Sequence, residues 1–195
     1  MPHSFSITYD YLCPFARIAN ETIVEAMSGG ASLDVSFVPF SLMESHVQEG
    51  DTAQWDLPFD QLGKGVLALL WSISIRDHIR ESFPDFHVAL FSARHDSGSD
   101  INDPNLLESV ARSVGVDPDE VRTIVGSGVA SKVLANEHMA AVEDHDVFGV
   151  PTFISGGDAV FVRFMERHNR TDLYRVLDML SWTNLNEFKR TTIDR

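Results

Sequence analysis

Strand-forming sequence occurs only at the two ends of this chain, and the block between them, residues 43–146, is expected to be helical. At the start, residues 5–9 (Phe-Ser-Ile-Thr-Tyr) alternate apolar and polar side chains, as a half-buried strand does. A helix is predicted over 14–27: Pro14 suits the first turn, where its missing N–H would be unpaired anyway, and Ile18, Ile23, Val24 and Met27 recur at helical spacing. Ser28-Gly29-Gly30 stops it, and the β-branched, alternating stretch 33–39 forms a second strand. Strand, helix and strand make a parallel unit whose functional end lies at the carboxyl end of the first strand.

The middle block reads as a series of helices: a long apolar one over 62–79, another over 85–93, a third opened by Asp103-Pro104 and ended by Gly115, a fourth capped by Asp117-Pro118, and a last one carrying Val133, Leu134, Met139 and Val142. Strand signals then return. Residues 150–154 and 159–162 flank the turn signal Gly156-Gly157-Asp158, and residues 171–180 close with an amphipathic helix. The order is βαβ, helical insertion, ββα. Residues 1–42 and 147–195 form one α/β domain, and 43–146 the inserted helical one.

With 195 residues, 44% of them apolar, the chain can bury a full core. Its formal net charge of -14 opposes nucleic-acid phosphates and anionic lipid, so neither nucleic acid nor membrane is an expected partner. The longest apolar run, 66–75, is well short of the roughly 20 residues of a spanning helix. The first strand begins too early for a secretory leader, and a lone cysteine excludes an internal disulfide framework; cytoplasmic is the expected location.

That lone cysteine, Cys13, stands at the end of the first strand in Asp10-Tyr11-Leu12-Cys13-Pro14-Phe15-Ala16. A sulfur opening a helix lies among unpaired N–H groups at the positive end of the helix dipole, which predicts a pKa below the free-cysteine value of about 8.5. The competing reading is a buried core cysteine, a common fate of a free thiol. Phe15 cannot stabilise a thiolate by charge, which leaves that task to the dipole and backbone donors. Ala16 takes the place where a second thiol would complete a Cys-x-x-Cys pair. Asp10 is suited to capping or orienting the turn.

Two stretches, Asp10-Tyr11-Leu12-Cys13-Pro14-Phe15 and Gly149-Val150-Pro151-Thr152-Phe153-Ile154, resemble the thioredoxin superfamily in its DsbA-like branch, the branch with a helical insertion. The resemblance implies a thioredoxin-like α/β fold. It further implies that Pro151 is cis and faces the nucleophile, and that Val150 offers backbone hydrogen bonds to an incoming thiol compound. Within the branch, mycothiol-dependent reductases have a second cysteine where Ala16 stands, and the tail Glu187-Phe188-Lys189-Arg190-Thr191 is similar to theirs. Kappa-class glutathione transferases and hydroxychromene-carboxylate isomerases have serine in place of Cys13 and, like this chain, a small residue at Ala16.

The resemblance implies a thiol oxidoreductase in which Cys13 is the single nucleophile and mycothiol or glutathione the cosubstrate, since a lone thiol cannot release itself from a mixed disulfide. A kappa-type thiol-dependent transferase or isomerase is the alternative, and a non-enzymatic thioredoxin-fold binding protein a third. No tightly bound cofactor is expected. The partners implied are a small thiol, a hydrophobic or disulfide substrate, and a second copy in a homodimer. Trp55, Phe59, Trp71, Phe83, Phe86 and Phe91 are candidates for a hydrophobic pocket over the thiol, or else for core. His138 and His145 share a helix with no third close ligand, and His87 and His95 fall elsewhere, so no metal site is expected.

Overall fold

The computed structural model describes residues 3–48, 50–182 and 184. The tail 187–191 lies outside the described residues. Four strands, β1 (His3–Tyr9), β2 (Leu33–Pro39), β3 (Thr152–Ser155) and β4 (Asp158–Phe161), form one sheet in the order β2-β1-β3-β4. β1 and β2 are parallel and joined through α1 (Pro14–Ser28), while β3 runs antiparallel to β1 and pairs with β4 as a hairpin. β1 is thus an inner strand. Its Ile7 and Tyr9 are fully buried, and its carboxyl end delivers the chain to Cys13.

Between β2 and β3 lie α2 (Val66–His78), α3 (Phe83–His95), α4 (Pro104–Ser113), α5 (Pro118–Gly126) and α6 (Val129–His145), and α7 (Arg170–Leu180) follows the hairpin. Asp103 and Asp117 cap α4 and α5 as their sequence signals predict, each side chain accepting the N–H two residues on. Residues 44–61 form three short 3₁₀ turns without helical periodicity.

The insertion packs directly on the sheet. Phe83 meets Phe37 of β2 at 5.3 Å between ring centroids, and Phe91 meets Tyr11 at 4.6 Å. Arg76 of α2 reaches the Phe37 carbonyl (2.6 Å) and makes a two-pronged ion pair with Glu137 of α6. Among the described residues, no helix is long and apolar enough to cross a membrane.

Candidate active site

Cys13 is the N-cap of α1, with extended backbone (φ -91°, ψ 117°), and Pro14 opens the helix. The Ala16 N–H donates to Sγ at 3.4 Å. The thiol in turn donates to the carbonyl of Val150 at 3.3 Å, and the Val150–Pro151 peptide is cis. Cys13 and the 150–151 segment are therefore brought together by the pairing of β3 against β1. Below them, Thr8 Oγ1 accepts the Thr152 N–H at 2.8 Å, and Thr152 Oγ1 donates to the Gly149 carbonyl at 2.8 Å, so the loop carrying Val150 is held from β1 itself.

Asp10 is 1% exposed. One carboxyl oxygen accepts the Leu12 N–H and the other the Leu42 N–H, both at 2.8 Å, which ties the active-site turn to the chain leaving β2. Burial raises its pKa to about 6 against the pull of those two amides. Gly65, at φ +78°, lets α2 press on the same turn: a Cβ there would stand 3.0 Å from Leu12 Cγ and 3.4 Å from Asp10 Oδ1.

The expectation of a lowered Cys13 pKa is corrected by these surroundings. Burial is the largest influence and raises it, and the charge of Asp10 acts in the same direction. The Ala16 and Phe15 amides and the Arg163 guanidinium oppose it without winning. A helix N-terminus lowers a thiol pKa when water can also reach the sulfur; here Cys13 is only partly accessible and faces a carbonyl.

The expected aromatic pocket is also revised. Trp71, Phe83, Phe86 and Phe91 are buried core, Trp55 packs toward His138, and Phe59 is half exposed. The rings linked to the start of α1 are instead Phe15 and, through Arg163, Phe161 with Phe148 beside it. Phe148 is 73% exposed and lies 5.0 Å from Phe161, and the Arg163 guanidinium sits 5.2 Å from the Phe15 centroid and 5.8 Å from that of Phe161. Arg163 supplies the positive charge that Phe15 lacks. It was missed because only the β3–β4 hairpin brings it to the start of α1.

Behind Tyr11 runs a polar chain that sequence patterning did not indicate. Ser72 Oγ lies 2.9 Å from the Tyr9 hydroxyl and 2.7 Å from that of Tyr11, and the Tyr11 hydroxyl is 2.7 Å from His87 Nδ1. His87 Nε2 meets Asn20 Oδ1 at 3.0 Å, and Asn20 Nδ2 donates to the Ala16 carbonyl at 2.8 Å. Burial pushes the His87 pKa down to about 3, so the ring is neutral; facing an oxygen that only accepts, Nε2 carries the proton and Nδ1 is left as an acceptor beside the Tyr11 hydroxyl. This chain joins α2 and α3 to the first turns of α1. His138 is likewise engaged, stacked on Phe40 and accepting the Ser41 N–H. Among the described residues, no three His, Cys, Asp or Glu side chains gather to hold a metal.

The family model described as DSBA-like thioredoxin domain matches residues 6–168. An uncharacterized Bacillus subtilis protein, YwbO, is 24% identical over 172 residues, spanning 77% of this chain and 86% of its own. Among solved structures, a 2-hydroxychromene-2-carboxylate isomerase superposes with a TM-score of 0.64 at 17% identity, covering 93% of this chain and 97% of its own. DsbA of Pseudomonas aeruginosa does so with a TM-score of 0.58 at 18% identity, covering 90% and 82%.

Proposed function

The chain belongs to the DSBA-like thioredoxin domain family, homologous to thiol–disulfide oxidoreductases and isomerases, and on that premise we propose that it is a monothiol exchange enzyme working through Cys13. The observation that carries this reading is the placement of the thiol: at the N-cap of α1, against the Val150 carbonyl, with Ala16 one helical turn on instead of a second sulfur. Cys13 gives up its proton to solvent, and the sulfur, held by the Ala16 N–H, attacks one sulfur of a disulfide R–S–S–R′. The S–S bond breaks, R′S⁻ leaves and takes a proton, and Cys13 carries R as a mixed disulfide.

A small thiol R″SH, deprotonated, then attacks the R sulfur. The products are R–S–S–R″ and the Cys13 thiolate, which is reprotonated, so R–S–S–R′ and R″SH have become R–S–S–R″ and R′SH, with the R′ sulfur reduced and the R″ sulfur oxidised. Glutathione or mycothiol fits the role of R″SH. The high thiol pKa leaves little thiolate at neutral pH, but it makes that thiolate more nucleophilic and a slower leaving group, which favours a long-lived adduct. A single thiol without a disulfide partner suits a reducing compartment.

The test is intact-mass spectrometry after incubation with glutathione disulfide. One glutathionyl group is expected on the wild type and none on Cys13→Ser. A wild type that takes up no adduct, with Cys13→Ser retaining every activity found, defeats the reading. A second reading, a kappa-type isomerase or transferase, is favoured by the neutral thiol, which can donate a hydrogen bond to a bound cofactor's thiolate. Under that reading Cys13→Ser keeps its activity, because a hydroxyl donates as well.

A further inference from the structure

The chain has 15 basic and 29 acidic residues, and several of its arginines find carboxylates: Arg17 pairs with Glu21, Arg76 with Glu137, Arg112 and Arg122 with Glu108. Arg163 makes no ion pair among the described residues, as Arg80, Arg94 and Arg170 also do not, but it alone of these lies across two aromatic faces, Phe15 and Phe161, beside the start of α1. Cation–π attraction fixes a guanidinium in position while leaving its N–H edge open to a ligand.

Among the described residues, no carboxylate at this end of α1 pairs with it. The first turn holds no acidic residue. Asp10 is buried, with each oxygen already receiving a backbone N–H. A prealigned, unpaired cation therefore stands at the helix end that carries the reactive thiol.

We propose that Arg163 is the substrate-binding residue that selects a carboxylate-bearing thiol or disulfide at Cys13. The proposal rests on Cys13 exchange as described above. A carboxylate a few bonds from the reacting sulfur takes the two-pronged N–H edge of Arg163, while its apolar stem lies on Phe161 and the exposed Phe148. The preference runs against the whole-chain field, since a net charge of -14 by itself attracts cationic substrates and repels anionic ones.

Three disulfides of similar length differ only in end charge: 3,3′-dithiodipropionate (anionic), bis(2-hydroxyethyl) disulfide (neutral) and cystamine (cationic). Their rates of reaction with Cys13, each divided by the rate with a small free thiol in the same buffer, are the readout. The wild type is expected to favour dithiodipropionate over the neutral compound about fivefold, the effect of one surface ion pair near the upper end of its range. Arg163→Gln should abolish that ratio, while slowing all three compounds alike through the loss of its charge beside the thiol, and Arg163→Lys should keep part of the ratio. Arg112→Gln, which changes the net charge equally, should leave it intact. The proposal is overturned if the wild type ranks cystamine first and dithiodipropionate last, or if Arg163→Gln does not move the ratio. If none of the three modifies Cys13, the exchange reading falls and the proposal with it; if the neutral compound reacts without any charge preference, only the proposal falls.

Discussion

The Cys13 thiol and the Val150 carbonyl, 137 positions apart in sequence, meet at 3.3 Å with the sulfur as donor. A thiol in that bond is neutral, and removing its proton turns the sulfur toward an oxygen lone pair. The same contact that orients the sulfur therefore opposes its ionisation. Arrival of a substrate that supplies its own donor relieves the opposition.

Alkylation of Cys13 by iodoacetamide should accordingly show a midpoint above the free-cysteine value of about 8.5. Asp10 adds a second feature. Below about pH 6 its carboxyl is neutral and exerts no charge on the thiol, and above that it is ionised and raises the thiol pKa. The logarithm of the rate should rise with unit slope, flatten near pH 6 and rise again. In Asp10→Asn the slope should stay at one up to the thiol midpoint; a midpoint below 8.5 would show that the dipole outweighs burial.

Asp10 also sets a stability term with a defined sign. Its folded pKa of about 6 lies above the unfolded value of about 3.9, so the folded state holds the proton more tightly. That contribution is fully present below the unfolded pKa and is lost as pH rises through about 6. Asp10→Asn does not titrate, so the stability of wild type relative to the variant should fall by about 3 kcal/mol between pH 3 and pH 8, two units at 1.36 kcal/mol each. Urea unfolding at both pH values measures it, and a constant difference between the proteins would contradict it.

Thr8→Val tests the support beneath Val150. Valine nearly matches threonine in shape but leaves the buried Thr152 N–H without its acceptor, at a cost of about 1–3 kcal/mol. The urea midpoint should drop with an unchanged m-value, and Cys13 exchange should slow as the Val150 loop loses its anchor. Unchanged stability would mean that the Thr8 hydroxyl does not hold this loop.

Ala16→Cys should convert the site to a dithiol. Residue 16 lies one helical turn from Cys13, and its own N–H already reaches the Cys13 sulfur. The oxidised variant should show no free thiol. Its reduced form should release a small-thiol adduct faster than wild type and gain insulin reductase activity. Because Ala16 is fully buried, the added sulfur should also cost the reduced protein about 1 kcal/mol or more by overpacking. An oxidised variant that still titrates two thiols would overturn the predicted pairing.

Local chemistry was enough to read every element that follows a periodic or capping signal: the alternation of β1, the Pro14 start of α1, the Asp103 and Asp117 caps, and the Gly156-Gly157 turn that joins β3 to β4. These signals lie within a few residues of what they control. The segment 44–61 broke that rule, because its 3₁₀ turns have no period to read and are held by partners beyond helical reach, the Gln54 N–H by Glu44 ten residues back and Trp55 by His138 of α6. Cys13 itself was legible as the reactive centre through its place before Pro14 at the end of a strand.

What the thiol can do was decided in three dimensions. Its protonation depends on burial, on a carbonyl from β3's approach, on Asp10 sealed beneath α2 and on Arg163 from beyond β4. His87 shows the same division, since its residue type is compatible with a metal ligand and only its neighbours Tyr11 and Asn20 make it a neutral core link. Helix and strand preferences act along the chain at short range and survive in the sequence. Desolvation and charge act through space, and take their sign only when folding fixes which groups exclude water and which face one another.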